Sequence, residues 1–506
     1  MNEQIKITLN GNLVFAVRGM MLSEIIEGEK PCGGHGKCRK CKVIARGELS
    51  KITSIEQEFF SEDELKQGIR LACLTSAMGD CEIETLTKGE DAQIVNEGVM
   101  PAFELKPVFS HYGVAIDIGT TTLAGRLYNS HGVLLSTVSM LNPQKVWGAD
   151  VISRIETALD GKAIELATAI RNAINDMFSV LARKARIDTS AIDGVVITGN
   201  TVMLSLLVKE SVEPFSRAPF KIERLFGEAL TASELDFTNL HGNVSVYLPP
   251  CISAFVGADN TCAILATELT KKTTPMMVVD IGTNGEMALW NNGKLIVCST
   301  AAGPAFEGVG ISMGMRGVEG AIDKITNVNG TLQAHVIGEV EARGICGSGL
   351  VDAVACMIDE QILDESGFLE SSSYCIQGAV TLTQKDIRMF QLAKSAICAG
   401  LMTLIKSNHL LSSEISTLFI AGGFGNYLHI KNAAKIGLLP KEFTERSKVV
   451  GNAALIGAVM ILLNKDFKIE VETLSKNAVT LELSSNSIFS DFYMMGMTLG
   501  ELEGGL

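Results

Sequence analysis

The sequence predicts a small α+β domain followed by a duplicated, two-lobed α/β domain. Three observations carry this. A strand–turn–strand pattern at the start leads into a loop with Cys32, Cys38 and Cys41, ahead of a fourth cysteine at Cys73. Segments 113–135 and 277–297 then repeat one another: apolar strand, Asp-Ile-Gly-Thr, second strand, Asn/Gly turn, third strand. The length, 506 residues, holds about three domains at roughly 100–200 residues each.

Composition bounds the function. Lys and Arg total 43 against 57 Asp and Glu, a net charge of −14, which argues against a nucleic-acid partner and its need for a basic face. Apolar residues make up 47% and charged residues 20%, as in a globular protein with a large core. The start, MNEQIKITLN, lacks the apolar stretch of a secretory signal. The longest uncharged apolar run, 453–463, is shorter than the ~20 residues that cross a bilayer. The twelve cysteines do not form a small secreted disulfide framework. These features predict a reduced, cytoplasmic protein with no nucleic-acid or membrane partner.

In chain order, residues 4–17 alternate apolar and polar positions around Asn10-Gly11-Asn12, a hairpin signal. A short helix is expected over 21–27. The cysteines then read C-x5-C-x2-C, with Cys73 after a further 31 residues. A plant-type [2Fe–2S] loop is C-x4-C-x2-C with a distant fourth Cys, one residue shorter. Thiolates on a Gly-rich loop can wrap an iron pair, and Gly33, Gly34 and Gly36 allow the positive-φ turns required. A zinc site would show two paired C-x2-C units. The expected cluster ligands are therefore Cys32, Cys38, Cys41 and Cys73. Cys81 is either a substitute ligand or a small core residue at the start of a strand. Lys37, Arg39, Lys40 and Lys42 form either a rim that docks an acidic electron donor or a solvated face. Residues 1–88 resemble a β-grasp ferredoxin of the adrenodoxin-like spacing class. Residues 89–111, with Pro101 and Pro107, read as a tether or a strap over a neighbouring domain.

The repeat, offset by 163 residues, divides the remainder into lobe 1 over 112–272 and lobe 2 over 273–506 with a C-terminal extension. Helical spacing over 164–181 precedes a strand ending at Gly199-Asn200. In lobe 2 a helix over 386–407 precedes strand Thr417–Ala421, the loop Gly422–Asn426 and an apolar helix after Gly451-Asn452. Two similar lobes imply a cleft.

The chemistry of that cleft follows from the residue types. Gly119 and Gly282 let backbone approach a phosphate. Thr120, Thr121 and Thr122, with Thr283, Asn284 and Gly285, supply hydroxyls and N–H groups to its oxygens. Asp117 and Asp280 would repel phosphate directly but can hold Mg²⁺ through water. Gly347 and Ser348 open a helix, whose N-terminus favours anions. Gly422, Gly423, Gly425 and Asn426 form a strand-terminal loop. Glu286 either positions an attacking water or satisfies a backbone group. Gly303–Gly308, followed by Gly310, Gly314 and Gly317, is either a mobile cover or a structural loop packed on the cleft. Asp150 reads as an N-cap.

Residues 112–463 resemble the superfamily of acetate and sugar kinases, Hsp70 chaperones and actin. Asp117–Thr122 and Asp280–Glu286 match its two phosphate motifs, 420–425 its adenosine motif, and 451–457 its second connecting helix. The resemblance implies ATP, Mg²⁺ and hydrolysis coupled to lobe closure. The whole chain resembles the reductive activators of corrinoid proteins, on Cys32–Cys41, Arg70–Cys73, Asn142–Arg154 and the nucleotide motifs. That implies ATP-dependent reduction of a Co(II) corrinoid protein to Co(I) in a methyltransferase system, one electron passing through the [2Fe–2S] cluster. It also implies a low-potential electron donor and a homodimer. Two departures stand out: Asp117 comes too early for the extra small domain of longer members, and the last cysteine is Cys398 rather than part of a C-terminal [4Fe–4S] motif. The competing readings are an electron donor to another low-potential acceptor, such as a radical dehydratase, and a redox-gated kinase.

Overall fold

A computed structural model of the chain describes residues 4–9, 12–26, 41–85, 98–328, 330–424 and 427–501. It divides into two compact units, Met1–Asp91 with Pro143–Lys162, and Ala92–Asn142 with Ala163–Leu506.

The first unit holds a mixed five-stranded sheet ordered Asn12–Val17, Gln4–Leu9, Ala77–Thr85, Lys42–Leu49, Ile69–Leu71. The first two strands pair antiparallel, as their alternation predicts, and Gln4–Leu9 runs parallel to Ala77–Thr85. Ile5, Ile7, Val43, Ala45, Leu71 and Ile83 form one apolar face, sealed by Leu22 and Phe60. Leu22 lies in a one-turn helix, Leu22–Ile25, at the expected place. Cys81 is buried, but in the middle of its strand opposite Ile7 rather than at the start. In Pro143–Lys162, Asp150 caps helix Val151–Thr157 by accepting from the Ser153 N–H at 2.8 Å. The Arg154 side chain is fully buried and donates from Nε to the Gly148 carbonyl at 3.0 Å.

The second unit contains two six-stranded sheets of one design. The first runs Glu228–Thr231, Ser245–Leu248, Ile192–Gly199, Tyr112–Ile118, Thr122–Asn129, Leu134–Leu141. The second runs Ser447–Gly451, Thr417–Ala421, Met276–Ile281, Gly285–Asn291, Lys294–Thr300, Val479–Thr480. In each, an antiparallel three-strand meander carries two parallel strands beside its first strand. The Asp-carrying strand is central and almost wholly apolar, as a strand buried on both faces must be. Helices Ala258–Ala266 and Ala453–Leu463 pack together through an apolar cluster. Gly457 lies so close to the Cys262 carbonyl that no side chain fits there.

In the described part of the linker, 98–111, the strap reading is what forms. Lys106 and Val108 donate backbone N–H groups to the Leu463 and Leu462 carbonyls at 2.9 and 3.0 Å. The Asn464 side chain donates to the Glu104 carbonyl, and Phe103 meets Phe467 edge-on at 5.3 Å. The described helix long and apolar enough to cross a membrane, Gln384–Ser407, has 83% of its apolar window buried against the second sheet.

Candidate functional site

The Asp-Ile-Gly-Thr turns come together at one cleft of about 280 Å³ in the second unit. Both turns sit at the carboxyl ends of central strands, where parallel-sheet architecture opens a crevice. The cleft is lined by Asp117, Gly119, Thr120, Thr121 and Thr122 from the first turn. Asp280, Gly282, Thr283, Asn284 and Glu286 line it from the second. Gly347, Ser348, Gly422 and Gly423 complete the predicted residues found there. Gly285 is not among them: the space beside its Cα is taken by Ile397 and Thr300, a packing position. Cys32, Cys38, Gly425 and Asn426 lie outside the described residues, as do Lys37, Arg39 and Lys40.

Two asparagines, one from each lobe, hold the first turn, and each also caps a helix. Asn200 donates to the Thr120 hydroxyl at 3.1 Å while its carbonyl caps Thr201–Leu207. Asn452 donates to Asp117 Oδ2 at 2.9 Å while its carbonyl caps Ala453–Leu463. Capping thus supplies the rigidity a binding loop needs. Gly422 has φ +94°, and a Cβ there would meet Asp280 Oδ1 at 2.5 Å. Gly423 has nothing within 4 Å and faces open space.

The two turns differ by one residue. In the first, the Gly119 N–H bonds the Thr122 carbonyl and Asp117 pairs with Ala124. In the second, the Gly282 N–H bonds the Asn284 carbonyl and Asp280 pairs with Glu286. Alignment of the repeats sets Glu286 against Leu123, which is buried in the core. The tighter second turn flips the returning strand by one position, so Glu286 shares a face with Asp280 and points into the cleft.

Two acids escaped the sequence reading. Asp259, in the first turn of Ala258–Ala266, lines the cleft and shares a hydrogen bond with Glu286. The Glu286 carboxyl thus meets a second carboxyl in the cleft. A signal for Asp259 existed: Gly257 opens its helix much as Gly451-Asn452 opens the other. Glu307, in the short helical turn Pro304–Glu307, accepts from the Thr121 hydroxyl at 2.6 Å and the Thr283 hydroxyl at 3.0 Å. The Gly-rich stretch around it packs on the cleft in this structure. Phe306 is buried and stacks on Phe424 at 4.7 Å.

Loss of water, then mutual repulsion, raises these acids. Asp117 and Asp280 are pushed up to about 7, Asp259 to about 6, and Glu286 well above the carboxylate range. Such a cluster suits a divalent cation arriving with a polyphosphate, which would supply the missing positive charge. No three described His, Cys, Asp or Glu side chains converge to grip an ion directly.

In the first unit, Cys41 Sγ and Cys73 Sγ are 3.2 Å apart and buried. The Cys73 contact draws the Cys41 thiol down to about 6 against the effect of burial. The turn bearing Cys73 is fixed from both sides. The Ala72 N–H donates to the Cys41 carbonyl at 2.8 Å. Glu56 accepts from Arg70 Nε, Arg70 Nη2, the Leu71 N–H and the Thr75 hydroxyl, all within 3.0–3.2 Å.

A duplicated domain with paired strand–turn loops around an acidic cleft is the architecture of the acetate and sugar kinase, Hsp70 and actin class. Residues 274–503 match the family model described as the C-terminal ASKHA domain of RACo, and 112–272 match the RACo middle region. The chain is 35% identical over 428 residues to the corrinoid activation enzyme RamQ of Eubacterium limosum, covering 78% of this chain and 71% of that protein. It is 26% identical over 417 residues to the [Co(II) methylated amine-specific corrinoid protein] reductase of Methanosarcina barkeri, with 76% of each covered. A solved reductive activator for a corrinoid, iron–sulfur protein superposes with TM-score 0.74 at 27% identity, with 98% of each chain covered. The chain belongs to the family of reductive activators of corrinoid proteins.

Proposed function

We propose that this protein uses ATP to drive the one-electron reduction of a corrinoid protein from Co(II) to Co(I), returning a methyltransferase system to activity. The observation that carries this is the match across 98% of the chain to a reductive activator, joined to the relatives named an activation enzyme and a Co(II) corrinoid protein reductase. The domains of the proposal are a β-grasp ferredoxin over 1–88, a linker over 89–111, and ATPase lobes over 112–272 and 273–506. The mixed five-stranded sheet and the facing Cys41 and Cys73 thiols support the first.

Cys32, Cys38, Cys41 and Cys73 are the proposed [2Fe–2S] ligands. Bound there, the cluster would supply one-electron transfer. The Glu56–Arg70 pair holds the Cys73 turn, so the thiol geometry does not depend on the cluster alone. In the second unit, Thr120, Thr121, Thr122 and Thr283 line the cleft and offer hydroxyls to phosphates. Asp117 and Asp280 are the residues that would hold Mg²⁺ through water, and its charge would offset that of the phosphates. Glu286, whose carboxyl is raised by burial and by the neighbouring acids, is the proposed residue for positioning the attacking water. Gly423 leaves room for adenosine. An electron donor of low potential and a homodimer belong to the same proposal.

The test is the anaerobic absorbance spectrum of a Co(II) corrinoid protein mixed with this protein and a reductant, with and without ATP. The expected result is ATP-dependent loss of the Co(II) band with growth of Co(I). ATP hydrolysis without any change at cobalt, across several corrinoid proteins, would move the acceptor elsewhere.

A further inference from the structure

We propose that Glu307 is a built-in anion that occupies a phosphate position between the two turns, and that an entering nucleotide displaces it. The inference rests on the ATP reading above and goes beyond it by naming what ATP competes with.

The geometry is specific. Glu307 Oε2 accepts from a threonine of each phosphate turn, Thr121 at 2.6 Å and Thr283 at 3.0 Å. One oxygen therefore ties lobe 1 to lobe 2. Both hydroxyls are groups that a phosphate oxygen would engage, and a carboxylate is the closest anionic mimic a protein chain carries. A nucleotide phosphate cannot approach those hydroxyls while Glu307 holds them, because two anions would share one donor pair in a confined space. The cleft, at about 280 Å³, also falls just below the roughly 300–1,000 Å³ of common ligand pockets.

The segment that carries Glu307 is built to let go. It lies between Gly303 and Gly308, both at φ +77°, with Gly310 at +85°, conformations that cost glycine nothing. The adjacent Phe306 stacks on Phe424 in the loop after Gly422-Gly423, and meets Phe390 edge-on at 5.8 Å. Withdrawal of Glu307 would therefore shift the ring that backs the proposed adenosine loop. This connects phosphate entry to a change outside the cleft. Glu307 is a positioning residue in this scheme: it sets the two turns in register before ATP arrives and gives way to it.

The experiment is isothermal titration calorimetry on the full chain with ATP in EDTA, then with ADP in Mg²⁺, for wild type, Glu307→Gln and Glu307→Ala. A thermal melt by circular dichroism checks folding, and the near-isosteric Glu307→Gln guards against collapse of the loop. Removal of the competing charge is expected to tighten metal-free ATP roughly tenfold, equivalent to about 1.4 kcal/mol. The gain should be smaller with Mg²⁺, which neutralises part of the phosphate charge. A merely structural Glu307 would leave the metal dependence unmoved. Unchanged or weaker ATP binding in folded Glu307→Gln would overturn the proposal, weaker binding making Glu307 a ligand of the nucleotide complex instead. Failure of the wild type to bind any nucleotide would instead remove the ATP reading itself.

Discussion

Two buried acid sites in this molecule are treated in opposite ways. Glu56 is fully buried, and burial alone would raise its pKa. The Arg70 guanidinium and the Thr53 and Leu71 N–H groups outweigh that and hold it at about 2. At the second site the Asn452 amide on Asp117 and the Asn260 N–H on Asp259 are outweighed, and loss of water and mutual repulsion push Asp117, Asp259, Asp280 and Glu286 up. The first arrangement is complete and serves to hold the turn of Cys73. The second gathers acids that repel one another, a charge that a metal–nucleotide complex would offset under the proposed function. Buried carboxyls thus mark structure or function by whether their counter-charge is part of the chain.

The comparison can be broken most sharply at Glu56. Glu56→Gln leaves Arg70 buried without a carboxylate and should cost about 3–5 kcal/mol, read by urea unfolding; a loss under about 1 kcal/mol would end the distinction. Asp280→Asn should do the reverse for the nucleotide-free protein, stabilising it at pH 8 by on the order of 1–3 kcal/mol. The same change should slow ATP hydrolysis by at least ~100-fold, with the visible spectrum of the first unit unchanged.

The pH dependence carries opposite signs at the two sites. A raised folded pKa means the folded state holds protons the unfolded chain has lost. The Asp117 and Asp280 contribution is therefore intact below the ordinary 3.8 and declines as pH rises towards about 7. The Glu56 contribution is intact above the ordinary 4.5 and declines as pH falls towards about 2. Thermal melts from pH 4 to 8 should show the first decline, and Mg²⁺ with ADP should flatten it. A slope that metal and nucleotide leave untouched would separate the acid cluster from the nucleotide site.

Smaller effects sharpen the picture of the cleft. Gly422→Ala forces a Cβ against Asp280 in a positive-φ backbone and should cost about 1–3 kcal/mol. Gly423→Ala, with open space beside it, should stay within about 0.5 kcal/mol and act on nucleotide affinity alone. Asn452→Ala removes a helix cap worth about 1 kcal/mol together with the hydrogen bond to Asp117, so nucleotide affinity should fall alongside stability.

Much of this was legible in the chain. The hairpins around both Asp-Ile-Gly-Thr turns, the long helices and the cap at Asp150 all follow from local patterns: alternation, helical spacing and turn chemistry. The glycines and threonines that line the cleft were readable for the same reason, since tight turns at strand ends need particular residues at particular places. Gly285 was misjudged because a glycine required for packing looks the same in sequence as one required for a ligand.

What the sequence by itself determined is the set of elements and the two turns, because each is settled by interactions between residues close together in the chain. The tertiary structure decided which side chains meet across long separations. Glu307 reaches Thr121 across 186 positions, and Asn452 reaches Asp117 across 335; no local period encodes such pairs. It also decided that Glu286 faces the cleft while its aligned counterpart Leu123 faces the core. A single hydrogen bond closed one residue earlier sets that register, and in a strand of period two one residue is the difference between the two faces.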